Sequence, residues 1–439
     1  MKIFYYLIIT AIFLFSSCES NKTKDVEGSE YPFYDIHLKI NPQNQEISVT
    51  GKLLINKSKD SLNQLFFYLQ KDMDINSFTI NQKNIFERDT SKSDNRFMPQ
   101  ATKIHLKLGN HRIKNETIEI YFSYNGKLTD LPEYFANIIS PEWTEIGLYY
   151  PWFPYNPEYR LFTYRLTIET DSSYNVFSLG KIKKKQDAWV ISNNTPTNDI
   201  VVCVSKDVLS YESQIGQSKL TIFHHNLNDT LLSKMSGDIS NIVKQYNDWF
   251  GENAQDISII ESKRKKGGGY ARIGGVFLGG FNPEMYYSNN EGYHRYFAHE
   301  LGHLWWYKAK TNSWEDWLNE SFAEYSALMI VREVFGKKAF DTRLAKKREN
   351  LKGSTPIWEF DRNKTETEMD AENVNEVLYN KGPVLLYELE KEIGKERYIE
   401  LCKILFEKNI NTTSEFLETL KLAEGENVSF WFKKMLKTR

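Results

Sequence analysis

A chain of 439 residues is long enough for two or three domains, each with a core of its own. Its 41% hydrophobic and 26% charged content is ordinary for a globular protein, and a formal charge of −2 with no long basic run gives no electrostatic ground for binding nucleic acid. Three cysteines are too few for a disulfide framework at this length.

Met1-Lys2 lead into an apolar run, Ile3 to Phe15, which is too short to span a bilayer, since a spanning helix takes about 20 apolar residues. Ser16 and Ser17 stand directly before Cys18. Small residues ahead of a cysteine resemble a bacterial lipobox, so residues 1–18 read as a lipoprotein signal peptide with Cys18 as the lipidated residue. A plain secretory signal with an incidental cysteine is the alternative. Residues 19–30 are polar and suit a flexible tether. The expectation is an exported bacterial lipoprotein, membrane-anchored on the periplasmic or outer-surface side.

Residues 31–205 show a period of two: Ile36, Leu38 and Ile40, then Ile47, Val49, Leu53 and Ile55, then Ile104, Leu106 and Leu108, then Ile118, Ile120 and Phe122, then Tyr164, Leu166 and Ile168. Such alternation between turn-forming residues predicts antiparallel strands with one buried face, and hence a β-sandwich-like N-terminal domain. Cys203, inside Ile200–Val204, reads as a small core residue of a buried strand.

Residues 206–439 change period. Met235, Ile239, Ile242, Val243, Tyr246 and Phe250 follow helical spacing up to a capping Gly251. A strand at 257–260 precedes the glycine-rich stretch 267–280, and helical patterns dominate to the end, with Thr412 and Glu415 as a capping box. The fold class expected is multi-domain α+β, with the β domain followed by a mainly helical domain carrying a small sheet.

Chemistry concentrates in His299-Glu300-Leu301-Gly302-His303. Positions i and i+4 share a helix face, so both imidazoles reach one metal ion, and Glu300 between them can take a proton from an attacking water. A single Zn2+ per chain is expected, with a third protein ligand and one open position. Glu320, in Trp317-Leu318-Asn319-Glu320 at the start of the next helix, is the third ligand candidate; a solvated carboxylate at a helix N-terminus is the plainer reading. Glu324, one turn on, is either an exposed acid or a hydrogen-bond acceptor for a ligand imidazole.

These residues resemble the aminopeptidase N-like family of gluzincin metallopeptidases, through His299-Glu300-x-x-His303 and Trp317-Leu318-Asn319-Glu320-Ser321-Phe322-Ala323. Tyr379-Asn380-Lys381-Gly382 is similar to that family's Y-x-K-G segment, which implies that Tyr379 donates a hydrogen bond to the oxyanion. The resemblance covers residues 31 to about 400. It implies a thermolysin-like catalytic domain, a peptide substrate, catalytic Glu300 and Tyr379, and zinc on His299, His303 and Glu320. Larger members close with a long helical superhelix, which this chain is expected to lack.

The sequence departs from the family in two places. Residues 304–319 between His303 and Glu320 are two fewer than the family spacing, which a shorter inter-helix loop absorbs. The G-x-M-E-N strand, whose glutamate grips a substrate amine, here reads Gly268-Gly269-Tyr270-Ala271-Arg272-Ile273-Gly274, with Ala271 in the glutamate's place. Tyr270, Arg272 and Gly274 are the substrate-contact candidates, and Glu142 or Glu145 the candidate replacement anchors. Arg272 would meet a substrate carboxylate or, more commonly for an arginine, pair with a protein acid. His294, five residues before His299, should point away from the metal face and be exposed. Three readings remain open: an aminopeptidase, an endopeptidase or other amidase without free-amine selection, and a catalytically silent surface binding protein. The sequence leaves oligomeric state open.

Overall fold

The computed structural model describes residues 31–438 apart from 57–64, 81–82, 85, 92, 94, 96, 107–116, 129–137, 265–268, 352–354 and 363–372. The proposed signal peptide, Cys18 and the tether lie outside the described residues, as do Leu108, Gly267 and Gly268.

The strand-forming half is built on an eight-stranded sheet. Its order is Lys181–Lys185, Ala188–Thr197, Phe162–Glu169, Phe33–Asn41, Glu46–Asn56, Thr117–Lys127, Met73–Ile80 and Lys83–Asn84. Alternation does what the sequence predicts: Ile36, Leu38 and Ile40 are buried while His37 and Lys39 are exposed. A three-stranded sheet, Leu65–Gln70, Ala101–Leu106 and Phe86–Asp89, shares this core, with the Phe67 and Phe78 rings 6.1 Å apart. One central pairing departs from the antiparallel expectation. Phe33–Asn41 runs parallel to Phe162–Glu169, because residues 42–161 supply the long connection that parallel neighbours need. A four-stranded sheet, Asn175–Phe177, Val202–Ser205, Thr144–Ile146 and Ile138–Ile139, carries Cys203 as a buried free thiol.

A five-stranded mixed sheet opens the other half, in the order Leu209–Ile215, Ser218–His224, Ile257–Ser262, Gly275–Gly279 and Tyr270–Arg272. Among the described residues Tyr270–Arg272 is an edge strand, paired only with Gly275–Gly279. Helices follow: α1 Asp229–Phe250, α2 Pro283–Ser288, α3 Asn290–Gly302, α4 Trp317–Phe335, α5 Lys337–Glu349, α6 Gly382–Ile393, α7 Lys395–Glu407, α8 Thr413–Glu424 and α9 Glu426–Lys437. Helix α1 starts where the Asn228 side chain accepts from the Leu231 amide and ends at Gly251, whose φ of 102° suits glycine alone. Thr412 and Glu415 form the expected capping box on α8. One core runs from Ile215 to Leu436 and joins these helices to the sheet. Among the described residues no helix is long and apolar enough to cross a membrane.

His294 corrects an expectation. It is buried at 6% exposure, because α1 and Phe335 cover that side of α3. Its Nδ1 lies 3.0 Å from the Asn290 carbonyl and its Nε2 3.5 Å from Asp238 on α1.

Candidate metal centre and cleft

Helices α3 and α4 pack so closely that a side chain at Gly302 would meet Ala323 Cα at 3.2 Å. The small pair lets the two ligand-bearing helices approach. Helix α3 ends at Gly302, yet His303 keeps helical angles (φ −67°, ψ −7°), so the i, i+4 relation to His299 survives. The rings stand at 89° with centroids 5.0 Å apart.

His299, His303 and Glu320 each offer one atom to a common point. Glu320 Oε2 lies 3.5 Å from His299 Nε2 and 3.6 Å from His303 Nε2, beyond hydrogen-bond range. Donors sharing one zinc at about 2.0–2.1 Å in a tetrahedron stand about 3.3–3.4 Å apart, so the residues present fit that ion. The shortened connection leaves this convergence intact. Each imidazole is oriented from behind: His299 Nδ1 lies 3.0 Å from Glu324 Oε2, and His303 Nδ1 lies 3.0 Å from the Trp306 carbonyl. Nδ1–H donation from His303 to that carbonyl turns its Nε2 lone pair to the gap, and the Glu324 charge beside His299 Nδ1 favours a proton on that nitrogen, leaving Nε2 for the gap. Glu324 is therefore buried against its imidazole, and it is fixed by Lys347 at 2.6 Å and Arg295 at 2.7 Å.

Electrostatics agree. Burial alone would lower the His299 pKa, but Glu320 and Glu324 beside it outweigh burial and raise it to about 10. Burial would lift the Glu320 carboxyl, yet the two imidazoles hold it well below the usual carboxylate range. The cluster attracts positive charge at the point where its donors meet. Glu300 is different: burial lifts its carboxyl above the ordinary value despite the nearby histidines.

Tyr379 sits in a π-helical turn, Glu376–Lys381, leading into α6. Its ring centroid is 5.7 Å from that of His299. Burial and the Glu320 charge keep its phenol protonated far above neutral pH, so it is a hydrogen-bond donor. The turn is held close to α4: Ser321 donates to the Leu378 carbonyl at 2.8 Å, and a side chain at Gly382 would fall 1.8 Å from Ser321 Oγ. That contact explains the glycine of the Tyr379–Gly382 segment.

Asn319, the residue before Glu320, is buried. Its amide accepts from the Ala309 N–H and donates to the Ala309 carbonyl, both at 3.0 Å, and it also donates to Asp316 at 2.9 Å. It thereby ties the loop after His303 to the turn that presents Glu320. Arg160, from the strand-rich half, donates to the same Ala309 carbonyl at 2.7 Å and to the Lys308 carbonyl.

A cleft of about 250 Å³ joins these groups, and its walls include Tyr149, Tyr270, Arg272, Glu300, Glu320 and Tyr379. The candidate anchors fall elsewhere. Glu142 is exposed on a turn away from the cleft. Glu145 is buried behind the wall, accepting from Ser262 at 2.7 Å, Tyr270 at 2.8 Å and Trp143 at 3.1 Å. Gly274 is not a wall residue; its φ of 90° makes the turn between the two last strands of the sheet. Tyr270 does line the cleft, stacked on Phe277 at 4.4 Å. Arg272 also lines it but pairs with buried Asp199 at 2.6 Å, with its guanidinium between the Tyr149 and Tyr270 rings at 4.7 and 4.6 Å. Asp199 is 73 residues distant, and no local signal announced it.

Two imidazoles and a carboxylate face a gap of metal-ion size, with a second carboxylate at its edge, an arrangement able to hold a metal ion beside a proton acceptor. Residues 282–435 match the Peptidase family M1 domain. That stretch carries His299, Glu300, His303, Glu320 and Tyr379, so the likeness falls on the candidate metal centre. The chain is 28% identical over 145 residues to endoplasmic reticulum aminopeptidase 2 of Homo sapiens, a match covering 31% of this chain and 14% of that protein. A similar stretch is 28% identical over 144 residues to probable aminopeptidase 2 of Sulfurisphaera tokodaii, covering 30% of this chain and 18% of that one. The matches thus span less than a fifth of these relatives' length. In fold, the M1 zinc metallopeptidase of Deinococcus radiodurans superposes with a TM-score of 0.68 at 13% identity, covering 93% of this chain and 95% of that one.

Proposed function

We propose that this chain is a zinc-dependent peptidase. The observation that carries the reading is the convergence of His299 Nε2, His303 Nε2 and Glu320 Oε2 beside Glu300 on the wall of one cleft. Zinc held by these donors supplies Lewis-acid chemistry, polarising a carbonyl and acidifying a water. Glu300 accepts the proton of the attacking water and delivers it to the leaving amine. Tyr379 donates its phenolic proton in a hydrogen bond to the carbonyl oxygen as negative charge develops there. The unpaired side of the Tyr270–Arg272 edge strand receives the peptide backbone as an added strand.

The test is Glu300→Gln. It should retain one zinc per chain by metal analysis and lose peptide hydrolysis by about 10²-fold or more. Substantial turnover by that variant would overturn the mechanism.

A specific observation bears on free-amine selection. The carboxylates on the described cleft wall are Glu300, Asp316 and Glu320. The first is the proposed base, the second pairs with Arg362 at 3.0 Å, and the third is a ligand. With Ala271 in the edge strand, no carboxylate among the described wall residues is left for an α-ammonium group. The protein should therefore cleave N-acetylated and free peptides with kcat/KM within about tenfold of each other, a difference of about 1.4 kcal/mol. Strong rejection of the acetylated peptide would restore the strict aminopeptidase reading.

Export and lipid attachment through Cys18 belong to the same proposal, supported by Leu14–Cys18 alone. Cys18→Ala should release the protein from membranes on fractionation.

A further inference from the structure

Resting on the peptidase reading, the charge balance of the cleft identifies a class of substrate. Arg272 is matched by Asp199, and Arg362 by Asp316. The remaining wall carboxylates, Glu300 and Glu320, face the metal position. Arg160 is left over. It lines the cleft; Asp316 and Glu158 act on it through space, but among the described residues no carboxylate forms a contact ion pair with it. Its contacts are two backbone carbonyls, those of Lys308 and Ala309. A guanidinium carries five N–H donors in a rigid fork, so N–H groups remain for a ligand. Burial already works against this cation, lowering its pKa, and a pairing anion would offset that cost.

Its placement is suited to selection. The Ala309 carbonyl that accepts from Arg160 also accepts from Asn319, the residue before Glu320. The cation is thus anchored through one backbone oxygen to the ligand-bearing segment, and it is supplied by the other half of the molecule. We propose that Arg160 is a specificity-determining residue: the cleft takes peptides that place a carboxylate on this guanidinium. That carboxylate is either the C-terminus of a short peptide or an acidic side chain. A planar fork–carboxylate pair is both directional and strong, and neither an amide nor a carboxamide reproduces it.

The experiment uses the zinc-loaded full chain and four peptides: Ala-Ala-Ala as free acid and as amide, and Ala-Glu-Ala-amide beside Ala-Gln-Ala-amide. At least one carboxylate partner should be preferred by about tenfold or more in kcat/KM, through KM and not kcat. Which pair shows the preference tells the C-terminal carboxylate from the side chain. Arg160→Met should bring that ratio close to one, while Arg160→Lys keeps part of it. The ratio is taken within each variant, so it is unaffected by a loss of folded protein; should the Met variant not fold, Arg160→Gln serves. Calorimetric binding of the same peptides to Glu300→Gln gives a readout independent of turnover. Failure of the peptidase reading shows as no cleavage of any peptide, with the binding ratio still measurable. Equal KM and equal affinity within both pairs, or a ratio unchanged in Arg160→Met, overturns the proposal.

Discussion

Glu324 has the most demanding position of any single side chain near the metal centre. One buried carboxylate serves His299, Lys347 and Arg295 together, and the two cations hold its pKa low although burial would raise it. Glu324→Gln should weaken zinc binding by about 10–100-fold in chelator competition, because the imidazole loses the negative charge behind its Nδ1 and Lys347 and Arg295 lose their counter-ion. Tyr379→Phe should lower kcat by about 10²-fold or more with little change in KM, the mark of a donor used chiefly in the transition state. The sequence marked the groups that meet at the candidate centre: His299, Glu300, His303, Glu320 and Tyr379 stand in short motifs with fixed spacing. It did not disclose the groups that complete the wall. Asp199 for Arg272, and the seating of Arg160 on the Lys308 and Ala309 carbonyls, arise from tertiary contacts with no periodicity or motif to mark them. The burial of His294 escaped for the same reason: spacing along α3 gives a direction, while the arrival of α1 on that side is a matter of packing.

At the scale of elements, the alternating and helical patterns placed strands and helices because each reflects a one-sided demand for burial. The parallel pairing of Phe33–Asn41 with Phe162–Glu169 carries no such signature, since alternation is the same in either direction. Glycine at α3–α4 and at the start of α6 sets how closely elements meet. Gly382→Ala would press on Ser321 against its bond to Leu378, and it should cost about 1–3 kcal/mol of stability in denaturant titration.

For the whole molecule, the contact between its two halves includes a titratable group. Glu145, on a strand of the N-terminal half, meets Ser262 and Tyr270 of the other half, and burial raises its pKa from 4.5 to about 7 despite these donors. A carboxyl whose folded pKa lies above its unfolded value binds more protons when folded, so stability falls as pH rises from about 4.5 to 7, by up to about 1.4 kcal/mol per pH unit. Glu145→Gln removes this dependence. Its stability relative to the parent, read by thermal unfolding, should improve between pH 5 and 8; a difference independent of pH would refute the assignment.

The Ala309 oxygen has a mechanical consequence. It is a pivot pin common to the strand-rich half, through Arg160, and to the zinc loop, through Asn319. Prising the halves apart therefore loosens the seat of the ion before any helix need unwind, so a polypeptide clipped between them should surrender its metal to a chelator faster while keeping its helical circular dichroism.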